Sequence, residues 1–162
     1  MTFLKNTIII VSLLVNSSAG EWPGWRGPTG DGVVPDEKAP LEWSIEKDVN
    51  WKVKIPGKGH ASPIIWGDKL FLVSADEDSG ERLLICLSIK SGKTLWKKTV
   101  LESPIEKVHR KNSRASSTPV TDGKSIYVSF LDQEKMFIAA YNLEGKKLWE
   151  NRPGIFSSVH GY

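Results

Sequence analysis

The stretch "SGKTLW" at residues 91–96 decides the fold, because the chain repeats its pattern as "EGKKLW" at residues 144–149. In each copy a glycine stands in a polar turn and a tryptophan follows four residues later. Glycine adopts the positive φ of a tight hairpin turn without steric cost, so we expect Gly92 and Gly145 in such turns. The tryptophan then lies near the start of the strand that follows each turn.

The sequence before these turns repeats as well. "ASPIIWGDKLFLVS" at residues 61–74 aligns with "STPVTDGKSIYVSF" at residues 117–130, and Pro63 matches Pro119. Each proline opens a first predicted strand, and an apolar strand follows the next Gly-Asp or Asp-Gly pair. Each unit therefore contains four short strands over about fifty residues, which is the size of one propeller blade. A β-sandwich with two similar halves is the rival fold, but sandwiches seldom repeat so closely.

Short apolar runs separated by turn residues continue along most of the chain. They are rich in β-branched and aromatic residues, and no segment sustains the 3.6-residue apolar period of a helix. We predict strands at residues 50–55, 62–66, 69–75, 82–89 and 94–100. The predicted fold class is all-β, a β-propeller with four-stranded antiparallel blades at about residues 61–100 and 117–152, preceded by the lone strand at 50–55.

Two blades cannot close a ring, since propellers have about four to eight. The lone N-terminal strand resembles one that completes the last blade of a closed ring. We therefore expect an incomplete ring in an N-terminal piece of a longer protein, whose remaining blades follow Tyr162. In this geometry the fourth strand is outermost, and Trp96 and Trp149 stack on the next blade. The burial of one such tryptophan is worth about 3–5 kcal/mol.

The first residues have the layout of a secretory signal peptide. Lys5 precedes an apolar run at residues 8–15, and Ser17 and Ala19 provide the small-x-small cleavage pattern. The run is too short to span a bilayer, so we expect no membrane span in the mature chain. The predicted organisation is a signal peptide at 1–19, an extended Gly- and Pro-rich lead-in at 20–48 and a partial propeller at 49–162. Such a protein is exported, to the periplasm or the medium.

The composition excludes one class of partner. Lys and Arg number 22 against 19 Asp and Glu, which gives a formal net charge of +3 over 162 residues. This charge is small and scattered, so we expect no nucleic-acid partner. Cys86 is the single cysteine and stands in the apolar run "LLICL". It is therefore interpreted as a small buried hydrophobic side chain, and an internal disulfide is excluded.

The two units resemble the pyrroloquinoline-quinone-type (PQQ-like) propeller repeat, whose signature is Ala-x-Asp-x-x-Thr-Gly-x-x-x-Trp. In the first copy Gly92 and Trp96 match the signature. Cys86, Ser88 and Ser91 stand where the signature has Ala, Asp and Thr. The second copy keeps the Ala, Gly and Trp, has Asn in place of the Asp, and is one residue shorter.

The resemblance, which extends over about residues 22–162, implies a fold more directly than an activity. The family includes quinone-dependent dehydrogenases, which hold the quinone between a Trp floor and two adjacent cysteines, with a calcium ion bound by Glu, Asn and Asp. This chain lacks the cysteine pair, and no calcium set stands at matching positions. We therefore expect a non-catalytic exported module that binds or scaffolds a protein or polymer, without cofactor, catalytic residue or metal ligand. The alternative is a fragment of a quinone-dependent dehydrogenase that uses PQQ and calcium.

Three histidines lie in connections that lead to first strands, and such connections gather at one face of a propeller. They are His60, His109 and His160. A shared metal site is conceivable, since imidazole suits zinc or copper. However, nothing in the sequence fixes their separations, and His109 lies in the basic loop "VHRKNSR" at residues 108–114. A solvated charge run is the preferred interpretation of this loop, and an acidic partner is the other.

Overall fold

A computed structural model describes residues 20–34 and 40–156 of the chain. The described residues form two four-stranded antiparallel sheets, each with its strands in sequence order. A single helical turn, α1, precedes them at Ile45–Asp48. The first sheet contains β1 Ile64–Trp66, β2 Lys69–Ala75, β3 Glu81–Ser88 and β4 Thr94–Glu102. The second sheet contains β5 Val120–Thr121, β6 Ser125–Asp132, β7 Lys135–Asn142 and β8 Lys147–Ile155. The expected all-β fold of four-stranded blades is confirmed.

The two sheets share a detail of register beside the repeated tryptophan. Cys86 pairs with Trp96 across β3 and β4, and the register shifts directly after Cys86. In the second sheet Ala140 pairs with Trp149, and the register shifts directly after Ala140. Such irregularities increase local strand twist, so the equivalent bulges give the two outer strands a similar course. The sequence repeat is thus also a repeat of strand pairing.

The main core lies between the two sheets. It contains side chains from one face of each sheet, and almost all are fully buried: Ile64, Phe71, Val73, Leu84 and Cys86 from the first, and Ile126, Val128, Phe130, Phe137, Ala139 and Tyr141 from the second. Since successive strand residues alternate between faces, the intervening residues lie on the two outer faces of the pair. The outer face of the first sheet forms a smaller cluster of Leu83, Ile85 and Leu87.

The segment at residues 50–55 covers this smaller cluster. It was expected as a lone strand, and no strand is assigned to it. Trp51 and Ile55 pack on the cluster, and the Trp51 indole Nε1 donates to the Ile89 carbonyl at 2.6 Å. A strand assignment needs a backbone ladder, and the described chain offers this segment no neighbouring strand. It is held by its side chains instead.

The lead-in contacts the first strand of each sheet. Trp22 forms a two-bond antiparallel bridge with Ile65, with N···O distances of 3.0 and 2.9 Å, and the Thr121 N–H donates to the Pro23 carbonyl at 2.9 Å. Within the segment expected to be extended, Ser44 caps the single helical turn by accepting from the Lys47 N–H. Its first turn carries two acidic side chains, which favour a helix N-terminus. That turn is too short to give a helical period in the sequence.

Two further sequence expectations concern residues at the chain's start. The predicted signal peptide at 1–19 lies outside the described residues. In the part of the chain that is described, no helix has the length and apolar character needed to cross a membrane.

Candidate interaction site

Trp96 joins the first sheet to the second. Its indole Nε1 donates to the carbonyl of Leu143 at 3.2 Å. Its ring lies so close to Gly145 that a Cβ there would come within 2.8 Å of a ring carbon. Gly145 has φ 79°, in the left-handed region that glycine adopts freely. The tryptophan of one sheet therefore rests on the hairpin turn of the next.

The same contact occurs one unit earlier. Trp51 rests on Gly92, where a Cβ would lie 2.5 Å from the indole, and Gly92 has φ 67°. As with Trp96, the Trp51 Nε1 donates to a backbone carbonyl of the hairpin, here that of Ile89. Trp51 thus covers the hairpin turn of the first sheet, as Trp96 covers the hairpin turn of the second. The repeat signature does not identify Trp51, because no turn glycine stands four residues before it.

Trp149 has the orientation of Trp96 but a different environment. It stacks on Tyr127 at a centroid distance of 6.1 Å and 43° between the rings, while Trp96 stacks on Phe71 at 5.9 Å and 43°. Trp149 is 45% exposed, on the face of the second sheet that points away from the first. Within the described chain, no hairpin lies over it.

The two prolines directly precede first strands. Pro63 stands before β1 and Pro119 before β5. Pro119 is fully buried, whereas Pro63 is exposed. In the described chain the first sheet precedes Pro119 and packs on the second, whereas no sheet precedes Pro63.

A polar cleft of about 790 Å³ lies at the end of the first sheet. Three connections line it: residues 57–61, the end of β2 with its turn, and the loop at 108–114. Backbone bonds join these connections. Lys58 and Ala75 exchange two N–H···O bonds of 2.8 Å, and the His60 N–H donates to Ala115 at 3.0 Å. Segments distant in sequence are thereby fixed around one cavity.

The loop after β4 is anchored by a buried ion pair. The Arg82 side chain is fully buried, and its guanidinium pairs with the carboxylate of Glu106. Arg82 Nη1 also donates to the carbonyls of Gly80 at 2.7 Å and Ser103 at 3.0 Å. A buried pair of this kind contributes little net stability but makes the loss of one partner costly. It therefore holds the loop in one position.

Basic side chains dominate the cleft. Its described lining includes Lys58, His60, His109, Arg110 and Arg114, with Glu77 as the single carboxylate among these residues. Lys58 binds the Glu77 carboxylate at 2.9 Å, and Arg114 also pairs with it. The hydrogen bond from Lys58, with the charge of Arg114, lowers the pKa of Glu77 below its usual value. Glu77 thus stays ionised and offsets one of the cations.

His60 and His109, singled out by the sequence, do share this cleft. His160 lies outside the described residues. Among the residues described, no group of three or more His, Cys, Asp or Glu side chains is arranged to hold a metal ion. The sequence missed the contributions of Lys58 and Glu77, because they come from separate turns that only the fold brings together.

The fold and its repeated tryptophan–hairpin contact define a propeller-type repeat protein. The match to a family sequence profile is more specific: residues 43–153 match the PQQ-type repeat family described as outer membrane protein assembly factor BamB. The chain belongs to this family, which confirms the resemblance drawn from the repeat signature.

A solved structure shows the same fold. BamB from Moraxella catarrhalis matches with a TM-score of 0.51 and 21% sequence identity, over 68% of this chain and 30% of that chain. The chain therefore spans less than a third of the length of that structure. No curated relative matches the sequence.

Proposed function

We propose that this protein is an exported, non-catalytic propeller module that binds or scaffolds a protein partner through the loop cleft. The observation that carries the proposal is the construction of the cleft. Its loop is fixed by the buried Arg82–Glu106 pair, while Lys58 and Arg110 remain exposed. Binding surfaces are commonly loops positioned by a rigid scaffold.

The family supports a protein partner in the cell envelope. Its description is that of an outer membrane protein assembly factor. By analogy, the partner proposed here is a protein of the envelope, and the chain reaches it after export directed by residues 1–19. Fold alone does not define function, so the proposal depends on the cleft as well as on the family.

The quinone-dependent alternative does not fit the residues of this chain. The family's enzymes place two adjacent cysteines against the cofactor, and Cys86 is the only cysteine here. Its side chain is fully buried in the core between the two sheets. Burial raises the pKa of the Cys86 thiol to about 12. A neutral thiol inside the core cannot contact a cofactor bound at a face, so Cys86 does not supply the cysteine contact that the family's enzymes make with the quinone.

Photocrosslinking in the native cell tests the binding function. A photoreactive amino acid replaces Lys58 in the cleft, and in a matched variant it replaces the exposed Lys97 on β4. We expect one discrete envelope-protein adduct from position 58 and none from position 97. Equal adducts at both positions, or none at either, would contradict the proposed site. Turnover of an alcohol or sugar after addition of PQQ, calcium and an artificial electron acceptor would contradict the non-catalytic function.

Export is tested separately. Residues 1–20 are fused to a reporter that is active only outside the cytoplasm, with a matched fusion that carries Asp in place of two central residues of the apolar run. We expect activity and cleavage after Ala19 in the first fusion only. An uncut reporter that stays in the cytoplasm would contradict export.

A further inference from the structure

We infer that the loop cleft recognises an acidic peptide segment, with Arg110 binding a side-chain carboxylate of the partner. The inference rests on the proposed binding function and names the class of partner. It begins from the charge of the lining. Among the described lining residues, the cationic side chains Lys58, Arg110 and Arg114 face one carboxylate, so these four side chains carry an excess of two positive charges.

The cationic side chains of the cleft differ in the ion pairs and hydrogen bonds that they form. Lys58 and Arg114 share Glu77, and Arg114 also donates to the Glu106 carbonyl at 3.1 and 2.9 Å. Arg110 is exposed, and no ion pair joins it to another described residue. A guanidinium binds a carboxylate through two parallel hydrogen bonds, a geometry that an ammonium group cannot reproduce. Arg110 is therefore the side chain best placed to take a carboxylate from outside.

A buried hydroxyl in the same lining supplies an independent observation. Ser74 is 1% exposed and lines the cleft. Its Oγ has no hydrogen-bond partner among the described residues. A buried polar group left without a partner costs about 1–3 kcal/mol. A movement of the neighbouring side chains would be needed for a ligand carboxylate or an ordered water to reach this hydroxyl and give it a partner.

The rest of the lining favours a peptide over a nucleotide. Ile55, Leu72 and Val108 form an apolar wall beside the basic groups. Such a wall accommodates an aliphatic side chain next to an acidic one. Among the described residues, the lining contains no Phe, Tyr or Trp on which a nucleic-acid base would stack. The cavity volume of about 790 Å³ is within the range of about 300–1,000 Å³ for ligand sites.

Binding of a defined probe tests the inference. The probe is a fluorescent peptide of alternating glutamate and valine, and its control has glutamine in place of every glutamate. Fluorescence anisotropy is measured with the full chain. We expect binding of the glutamate peptide that weakens as salt is raised. We expect binding of the glutamine peptide to be at least about tenfold weaker, the factor that corresponds to about 1.4 kcal/mol.

Two variants distinguish specific carboxylate binding by Arg110 from general electrostatic attraction to nearby positive charge. Arg110→Ala removes the guanidinium proposed to bind the peptide carboxylate. Lys111→Ala removes one positive charge from the next residue, which does not line the cleft. Both side chains are exposed, so neither change should unfold the protein. We expect Arg110→Ala to weaken binding about tenfold, and Lys111→Ala to change it less than about twofold. Arg110→Lys should restore only part of the affinity.

Several results would overturn the inference. Equal weakening by Arg110→Ala and Lys111→Ala would mean that the attraction is not specific to the cleft. Equal binding of the glutamate and glutamine peptides would exclude carboxylate recognition. Competition by inorganic phosphate at lower concentration than glutarate would point to a phosphate ligand instead. If the position-58 crosslink forms but the glutamate peptide does not bind, the binding function stands and the acidic-peptide inference fails.

Discussion

The indole N–H of Trp96 in the first sheet donates to the backbone carbonyl of Leu143 in the second, 3.2 Å away. This bond crosses the boundary between the two sheets, which are also joined by apolar packing and by polar bonds such as that from the Ser103 hydroxyl to Asp132. A buried Trp N–H normally requires a partner, so the hairpin of the second sheet satisfies a donor of the first. The contact thus adds a directional bond to the packing between the two sheets.

Removal of the Trp96 ring should therefore destabilise the fold strongly. We expect Trp96→Ala to lower the free energy of unfolding by about 3–5 kcal/mol, the range for large aromatic truncations. Trp96→Phe keeps most of the apolar contact and loses the hydrogen bond, so we expect a smaller loss. Lys97→Ala is the control, because Lys97 is an exposed neighbour on the same strand; its effect should stay within about 0.5 kcal/mol. Urea unfolding of the three variants provides the comparison, and similar losses for all three would disprove the inter-sheet contact.

Substitution of the hairpin glycine Gly145 should also destabilise the fold. Gly145→Ala places a Cβ 2.8 Å from the Trp96 ring and forces alanine to φ 79°. The backbone strain alone costs about 1–3 kcal/mol. Gly154→Ala is the matched control, since a Cβ at Gly154 meets no atom within 4 Å and its φ is not positive. We expect a clearly lower melting temperature for Gly145→Ala only; an unchanged melting temperature would show that the turn adapts without contact to Trp96.

The buried ion pair predicts non-additive mutant effects. Arg82→Ala leaves the Glu106 carboxylate, 7% exposed, without its buried partner. We expect a loss of about 3–5 kcal/mol in the free energy of unfolding. The double variant Arg82→Met, Glu106→Leu removes both charges and fills the space with apolar side chains, so it should be more stable than Arg82→Ala. A double variant less stable than the single one would show that the pair itself stabilises the loop.

The turn between β5 and β6 predicts a pH dependence. The Asp122 carboxylate accepts from the N–H groups of Ser125 and Lys124 at 2.7 and 2.9 Å and from the Tyr127 hydroxyl at 2.9 Å. These bonds, those of the two N–H groups foremost, lower the pKa of Asp122 from 3.8 to about 2. Because the folded-state pKa is the lower one, the stabilisation is present above about pH 4 and is lost as the pH falls toward 2.

Asp122→Asn provides the comparison for this turn. The variant cannot ionise at this position, so it should melt below the wild type near neutral pH, and the difference should shrink near pH 2. Thermal unfolding followed by circular dichroism at both pH values measures this. A difference that is constant with pH would mean that ionisation of Asp122 contributes nothing to the turn.

The sequence was sufficient for the repeating parts of the fold. The spacing from Gly92 to Trp96 reflects a local constraint, a tight turn followed by a strand, and it is therefore visible in a short window. The predicted strand at 69–75 matches β2, and the strand predicted at 94–100 lies within β4, which continues to Glu102. Local patterns of this kind can be detected in the sequence because both units contain them.

Other features were not accessible from the sequence. Arg82 opens the apolar run "RLLICL", and only the position of the later loop shows that Glu106 buries and neutralises it. Trp51 lacks the signature glycine, so its contact with the Gly92 hairpin depends on packing between distant segments. The cleft likewise combines three connections, and no single one of them has the pattern of a binding site. Long-range contacts of this kind produce no recognisable pattern within a short window of the sequence.

The bridge between Trp22 and Ile65 bears on the order in which the chain folds. The lead-in precedes both sheets in the chain and emerges before them during synthesis, yet it forms backbone bonds with Ile65 and Thr121, residues of two different sheets. Contacts between residues far apart in sequence form slowly, because the intervening loop must be closed first. We therefore expect the lead-in to settle last, after both sheets have formed. A segment that is made before both sheets would then be the last to reach its final position.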